Sequence, residues 1–555
     1  MTSEAASAAA PAVAEPGEAP DEVLGQLMLA FDGFELPPTM AARLGSAPAA
    51  GITLFRYLNV ASPAQVRALT DAVQAAAARR PRRPGEEARA GLLVAADQEC
   101  GQLVALGDGT TPFAGNMALG AIGNESLAER VAAAIGKEMR ALGANVAYTP
   151  SCDVAGNPAN PGIGIRSFGD DPAAVGRLAA AHVRGLHSAG VAATAKHFPG
   201  LGAVALDSHH ALATLDHDRA RLDSTELVPF RAAIEAGADV VMSAHVGLPA
   251  LTGDETLPAT LSRTVMHDLL RGELGFDGLS ITDALDMAAL PQGPEQAVDV
   301  IAAIRAGVDV LLCAPNEESR LRIETALAHA AARKLFDPTA LRASRERLAR
   351  LRAWLARFAQ PDLGVVGCDA HLALAREVAE RSITLVRNEA GLLPLRIAAD
   401  ARIATVMPVP LDLTPADTSS TVVPGLARGL REHHAAVDEL ITGHPPTAAE
   451  IATLRARASD YDLIVVGTIA ASMDPAQAAL VDALLDSGVP TVTVALRTPW
   501  DVAAYPRADT YVCTYGILGP SMDALAAALF GRIPFRGRLP VAIPGIAATG
   551  AGLVA

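Results

Sequence analysis

The sequence predicts an α/β protein in two parts: an N-terminal (β/α)8 TIM-type barrel, then a C-terminal α/β sandwich domain. Three observations carry this expectation. Short β-rich runs alternate with Ala/Leu-rich helical runs from about residue 50 to about residue 315, the pattern of a parallel sheet with crossover helices. Polar residues gather where those runs end, at Asp97, Asp153, Lys196 with His197, His245 and Asp283, and in a barrel of this kind the C-terminal strand ends carry the active site. A second strand–helix alternation resumes after the break at Gln360–Gly367, a Pro/Gly-containing stretch that interrupts helical periodicity.

Taken in order, residues 1–22 are acidic and rich in Ala and Pro, and are expected to form a disordered tail. They have neither the basic start nor the apolar core of a secretory signal, so a cytoplasmic protein is expected. The barrel is placed at 23–358. Its strand candidates are Gly51–Phe55, Leu92–Ala96, Asn145–Thr149, Ala192–Ala195, Asp239–Met242, Gly278–Ile281 and Val308–Leu312. Ser126–Leu142 and Asp171–Ala189 carry helical periodicity between them. Residues 318–358 read as a helical pair, with a leucine stripe over Arg345–Phe358 that suits a helix packed on its own barrel. A linker is placed at 359–376 and the second domain at 377–555, with strands over Arg402–Met407, Leu463–Gly467, Thr491–Ala495 and Thr510–Thr514. Their spacing suits a doubly wound sheet. No GxGxxG or GxxxxGK[ST] accompanies them, so no nucleotide site is predicted.

Composition narrows the function. A formal net charge of −16 over 555 residues argues against nucleic acid or an anionic membrane as the main partner. The run Arg79–Arg83 is basic but isolated and reads as a solvated loop. Five scattered cysteines without CxxC spacing give neither a disulfide framework nor a zinc site. Cys313 and Cys513 lie in apolar runs and are expected to be buried.

The chemistry concentrates in Thr194–Leu212, TAKHFPGLGAVALDSHHAL. A structural loop needs its Pro and Gly, but not a cation, imidazoles and a carboxylate as well. Lys196 and His197 end a strand and can donate hydrogen bonds to the hydroxyls of a sugar or to a carboxylate. Asp207 and His209 are two residues apart, so a turn can set the carboxylate against the imidazole and fix its tautomer. Such a histidine can act as general acid and then as general base. Metal ligation by Asp207, His209 and His210 is disfavoured, because adjacent histidines do not easily point the same way and no HxxxH or HxxEH partner exists. Asp283 follows the run Gly278–Ile281 and precedes an expected helical start. It reads either as a helix N-cap or as a carboxylate nucleophile facing a pocket. Asp286 is expected to be a surface or capping carboxylate.

KHFPGLGAVALDSH resembles the signature loop of glycoside hydrolase family 3, in its β-N-acetylglucosaminidase branch. Val94–Gly101 (VAADQECG), Thr111–Gly120, Pro150–Val154, Arg166–Pro172, Leu274–Asp283 and, further on, Ala375–Asn388, Ala495–Trp500 and Gly537–Val541 resemble other segments of that family. The resemblance implies that Asp283 is the nucleophile and His209 the acid/base, oriented by Asp207. It also implies that Asp97, Arg166, Lys196 and His197 bind the sugar. The reaction would be retaining hydrolysis without metal or organic cofactor, on a small GlcNAc-containing carbohydrate, by a monomer or homodimer. A β-glucosidase, a phosphorylase and a catalytically silent sugar-binding protein are the alternatives. Three residues depart from the family pattern: Leu201 where His is frequent, Ala203 where Asp is frequent, and Cys100 at the first Gly of an EGG segment. They are expected to affect loop closure and fine specificity, not the three catalytic positions.

Overall fold

The computed structural model describes residues 18–81 and 91–554. Eight parallel strands form the first domain: β1 (Leu27–Leu29), β2 (Gly51–Leu54), β3 (Leu93–Ala96), β4 (Val146–Ala147), β5 (Ala192–Phe198), β6 (Val240–Ser243), β7 (Leu279–Thr282) and β8 (Leu311–Leu312). The sheet runs in chain order from β1 to β7, with β8 beside β1. A parallel bridge between Ile281 and Val310 joins β7 to the β8 segment and closes the ring. The interior is packed with alternating inward side chains, among them Met28, Leu93, Val146, Val240, Leu279 and Val310, all buried. Tyr148 lies within it, its hydroxyl 2.9 Å from Thr53 Oγ1. This is a filled core and not a pore.

β1 escaped the sequence reading because three residues are too few to show a period, and a short helix, Glu18–Leu24, ends only two residues before them. That helix begins inside the segment assigned to the tail; residues 1–17 lie outside the described residues, as does part of the Arg79–Arg83 run. β4 is shorter than expected. Pro150 lacks an amide hydrogen and cannot continue a ladder, while Asn145 replaces strand bonds with its side chain, accepting from Val94 N at 2.8 Å and donating to Leu92 O at 3.1 Å. The helices at Glu125–Ala141 and Pro172–Ser188, and the pair Glu317–Ala332 and Pro338–Leu355, fall where periodicity places them. Side-chain caps from Asn124, Asp171, Asn316 and Asp337 set their starts.

The second domain is a six-stranded sheet of β9 (Thr384–Asn388), β10 (Ile403–Pro408), β11 (Val437–Thr442), β12 (Leu463–Thr468), β13 (Thr491–Ala495) and β14 (Thr510–Cys513), in the order β9-β14-β13-β12-β10-β11. Two strands go beyond the four expected. β9 is antiparallel to β14 at one edge and β11 is parallel to β10 at the other. β11 alternates buried and open positions, whereas the near-continuous apolar runs mark strands covered on both faces. The helix Asp369–Ser382 crosses the expected boundary at residue 376, and the linker before it is tied to the barrel. Glu138, buried in the helix Glu125–Ala141, accepts from Gly367 N at 3.1 Å and from His371 Nδ1 at 2.7 Å. No helix among the described residues is long and apolar enough to cross a membrane.

Candidate active site

A cavity of about 340 Å³ opens at the C-terminal ends of the barrel strands. It is lined by Asp97 after β3, Lys196 and His197 of β5, Asp283 after β7, Arg166, and His209 of the long loop after β5. Two consecutive residues of one strand ordinarily face opposite ways. Here the pairing of β5 with β6 shifts register between Ala195 and Phe198, and such an irregularity re-aims side chains, so Lys196 and His197 both face the mouth.

The floor is a closed charge network. Glu99 accepts from Arg166 through two parallel bonds, 2.9 Å from Nε and 2.8 Å from Nη2, and lies 2.5 Å from Lys196 Nζ. Lys196 also donates to Asp97 Oδ1 at 2.5 Å. Burial alone would raise the Glu99 carboxyl, but the Arg166 and Lys196 cations overcome it and hold the group far below the usual carboxylate range. Burial would lower Lys196, yet Asp97 and Glu99 raise it, so it stays charged. His197 is used at both nitrogens: Nδ1 is 2.7 Å from Asp153 Oδ2 and Nε2 is 3.2 Å from Arg166 Nη2. A guanidinium cannot accept, so Nε2 accepts and Nδ1 carries the proton. Of the four residues expected to bind sugar, His197 and Arg166 are thus largely committed to protein partners. Asp97 keeps an open oxygen and is 27% exposed at its side chain, against 1% for Lys196.

Asp283 does not cap a helix. Pro291 and Gly293 interrupt the segment after it, which forms turns, and the next long helix starts only at Gln296. Its Oδ1 accepts from Ala284 N at 2.8 Å, while Oδ2 makes no hydrogen bond to any described residue. Burial pushes this carboxyl up, but the His197, His245 and His209 rings and the Ala284 amide outweigh it and hold it below its ordinary value. His245 serves this turn, with Nε2 3.1 Å from Ala284 O. Asp286 is exposed and also lines the cavity.

The turn at 207–209 brings His209 Nδ1 to 2.6 Å from Asp207 Oδ1, which also accepts His209 N at 2.9 Å. Burial would raise Asp207, but these bonds to His209 hold it below the carboxylate norm. Its Oδ2 is buried without a partner. The loop is held by its backbone. Leu201 N donates to Asp153 Oδ1 at 2.6 Å, Asn160 Nδ2 donates to Leu201 O at 2.7 Å and Val204 O at 2.9 Å, and Ala289 N donates to Ser208 O at 3.2 Å. Gly202 passes so close to Val154 that an added Cβ would meet its carbonyl at 1.7 Å.

The three departures now have places. Leu201 turns its side chain into the core and anchors the loop through its amide and carbonyl. Ala203 packs partly buried near Gly156. Cys100 is buried, outside the cavity lining, and has a φ of 67°, a left-handed conformation that favours the glycine of the family pattern.

The second domain completes the wall. Pro415, Ala416, Asp417 and Thr418 line the cavity. Thr418 N donates to Gln102 O at 2.8 Å, Val104 N donates to Thr418 Oγ1 at 3.1 Å, and Tyr57 OH donates to Asp412 Oδ2 at 2.5 Å. Asp417, fully buried at its side chain, pairs with Arg497 at 2.6 Å. Sequence reasoning missed Glu99, Asp417 and Arg497 as site residues. Glu99 sits in the quoted Val94–Gly101 segment and Arg497 in Ala495–Trp500, so a motif pointed to each, but their pairing across the chain had no local signal.

A cavity at the strand C-termini of a closed parallel barrel, lined by paired ionisable groups, is the layout of a (β/α)8 enzyme. The chain belongs to glycosyl hydrolase family 3: its N-terminal domain matches residues 21–351 and its C-terminal domain residues 383–549. It is 31% identical to beta-hexosaminidase A of Pseudoalteromonas piscicida, over 92% of this chain and 91% of that protein. It is 32% identical to a beta-N-acetylglucosaminidase/beta-glucosidase of Cellulomonas fimi, over 81% of this chain and 83% of that one. The structure of a family 3 beta-N-acetylglucosaminidase from Paenibacillus sp. superposes with a TM-score of 0.87 at 36% identity, covering 94% of this chain and 98% of that one.

Proposed function

We propose that the chain is a retaining exo-β-N-acetylglucosaminidase releasing terminal GlcNAc from muropeptide or chitin-derived fragments. The observation that carries this reading is the meeting, in one cavity at the strand ends, of Asp283 with a free Oδ2 and of His209 held by Asp207. Asp283 Oδ2 attacks the anomeric carbon as the bond to the leaving oxygen breaks, and protonated His209 gives its Nε2 proton to that oxygen. Asp207 keeps the other nitrogen protonated and the ring oriented. Water then attacks the glycosyl–Asp283 ester, His209 takes its proton, and the sugar leaves with the starting anomeric configuration. A His–Asp pair thus replaces one of the two carboxylates of the usual glycosidase arrangement. Asp97 and Lys196 offer an acceptor and a donor to sugar hydroxyls. Arg166 and His197 act from behind by fixing Glu99, Lys196 and the Asp153-anchored loop.

A relative named for both glucosaminidase and glucosidase activity supports a second reading, in which β-glucosides are also substrates. Initial rates on aryl β-N-acetylglucosaminide and aryl β-glucoside, each with and without phosphate, test both. A strong preference for the acetamido sugar with free GlcNAc as product is expected. Comparable rates on both sugars would establish dual specificity. A phosphate-dependent sugar phosphate would make the enzyme a phosphorylase, and no turnover of either would overturn the assignment.

A further inference from the structure

The opposite face of the barrel holds a second cavity, of about 440 Å³. It lies at the N-terminal ends of β1 and β8, bounded by Gln26 ahead of β1, Asp309 ahead of β8 and the first turn of the helix Pro338–Leu355. Four arginines line it, Arg263, Arg271, Arg305 and Arg347, against two carboxylates, Asp309 and Asp337. Both carboxylates are already engaged. Asp309 accepts from Arg271 Nη2 at 2.5 Å and from Arg347 Nη1 at 3.0 Å, and Asp337 caps the helix at Thr339 N, 2.9 Å away. Arg263 and Arg305 are exposed and form no hydrogen bond or ion pair with any described residue. The cavity therefore carries excess positive charge in a chain whose net charge is −16.

Two further observations distinguish it from a stray basic patch. Gln26 is 3% exposed, and neither atom of its amide has a partner; leaving such a group unpaired costs about 1–3 kcal/mol. Phe336 and Leu341, both buried, give the cavity an apolar wall. The amino end of an 18-residue helix also faces it, and its dipole favours an anion there.

We propose that this cavity is a binding site for a small organic oxyanion, a phosphate or carboxylate bearing an apolar group. The anion meets Arg263 and Arg305, the apolar part lies on Phe336, and a polar atom satisfies Gln26. Being at the far end of the barrel from the catalytic cavity, the site stabilises the fold by mass action, and does so where the last strand joins the first.

The test is calorimetric titration of the full chain with phenyl phosphate, benzoate, inorganic phosphate and phenol. Phenyl phosphate or benzoate should bind more tightly than inorganic phosphate, and phenol should not bind. Which of the two binds better identifies the oxyanion. Arg263→Glu and Arg305→Glu should each weaken binding about tenfold or more, the loss of a charge-assisted hydrogen bond, while leaving the thermal midpoint without ligand and the basal glycosidase rate unchanged. Gln26→Leu should weaken binding of ligands with a second polar group. The proposal is overturned by no binding of either aryl oxyanion at millimolar concentration, by phenol binding as well as phenyl phosphate, or by binding that survives both arginine substitutions.

Discussion

The floor of the catalytic cavity and the loop that covers it are built on opposite principles. The floor rests on β3, β5 and Arg166, and nearly every charge in it is paired. Glu99 is 1%, Lys196 1% and Arg166 5% exposed at the side chain. The loop presents Asp207 and His209 on turns, held by backbone bonds, with Asp207 Oδ2 unpaired and the His209 side chain 24% exposed. Buried ion pairs of this kind fix geometry more than they add stability, and breaking one is costly because it strands a charge. A loop held by its backbone can shift its side chains at lower cost. On the proposed mechanism, the groups that would bind the sugar are fixed by charge pairing, and those that would transfer protons are fixed by the backbone of a loop.

The largest expected effect tests the point where the two regions meet. Asp283→Asn should lower kcat by more than about a thousandfold, over 4 kcal/mol, with a fall in thermal midpoint smaller than that of the floor variant below; near-normal turnover would remove the nucleophile. Next, Glu99→Gln leaves Arg166 and Lys196 underpaired in the floor and should cost about 3–5 kcal/mol in urea unfolding. If that variant is as stable as the parent, the floor is not locked by charge. In the loop, His209→Ala should slow substrates with poor leaving groups by about 100- to 10,000-fold and activated aryl glycosides much less. Both this change and Asp207→Asn should lower the thermal midpoint far less than Glu99→Gln does. Equal loss on both substrate types would rule out an acid role.

Smaller effects concern pH and backbone. His182 packs behind the floor against Phe168, with ring centroids 5.6 Å apart, and burial pushes its pKa down to about 4 from 6.5. Below pH 6.5 the unfolded chain takes the proton first, so stability falls with falling pH until about pH 4, by roughly 3 kcal/mol in all. His182→Leu should flatten that limb, measured as urea midpoints against pH. Glu99 and Asp283, both depressed, contribute their stability above the ordinary carboxylate range and lose it only as pH falls through their folded values. They therefore do not account for a loss between pH 6.5 and 5. Last, Cys100→Gly relieves a left-handed conformation worth about 1 kcal/mol but removes a buried side chain. The midpoint should move by less than about 1 kcal/mol in either direction and the rate should not change.

Much of this was legible in the chain. Periodicity located seven of the barrel strands, because residues buried on both faces read as apolar runs, and the polar residues after them marked the mouth. The Asp207–His209 pair was readable because its partners are two residues apart, a distance one turn can close. What the chain left out follows from the same physics. β1 and β11 lacked a sufficient pattern, one too short and the other half open. The helix expected after Asp283 gave way to turns that bind the dyad loop.

The sequence by itself determined the fold class, the family and the identity of the ionisable groups at the barrel mouth, since each depends on local pattern or short spacing. Only the tertiary structure decided how those groups are shared. Glu99 meets Arg166 across 67 residues and Lys196 across nearly a hundred, and Asp417, which lines the cavity from the second domain, meets Arg497 across 80. Charge pairing acts through space, over a few ångströms, and nothing in linear order records which distant residues closure of the barrel and docking of the second domain will bring within that range.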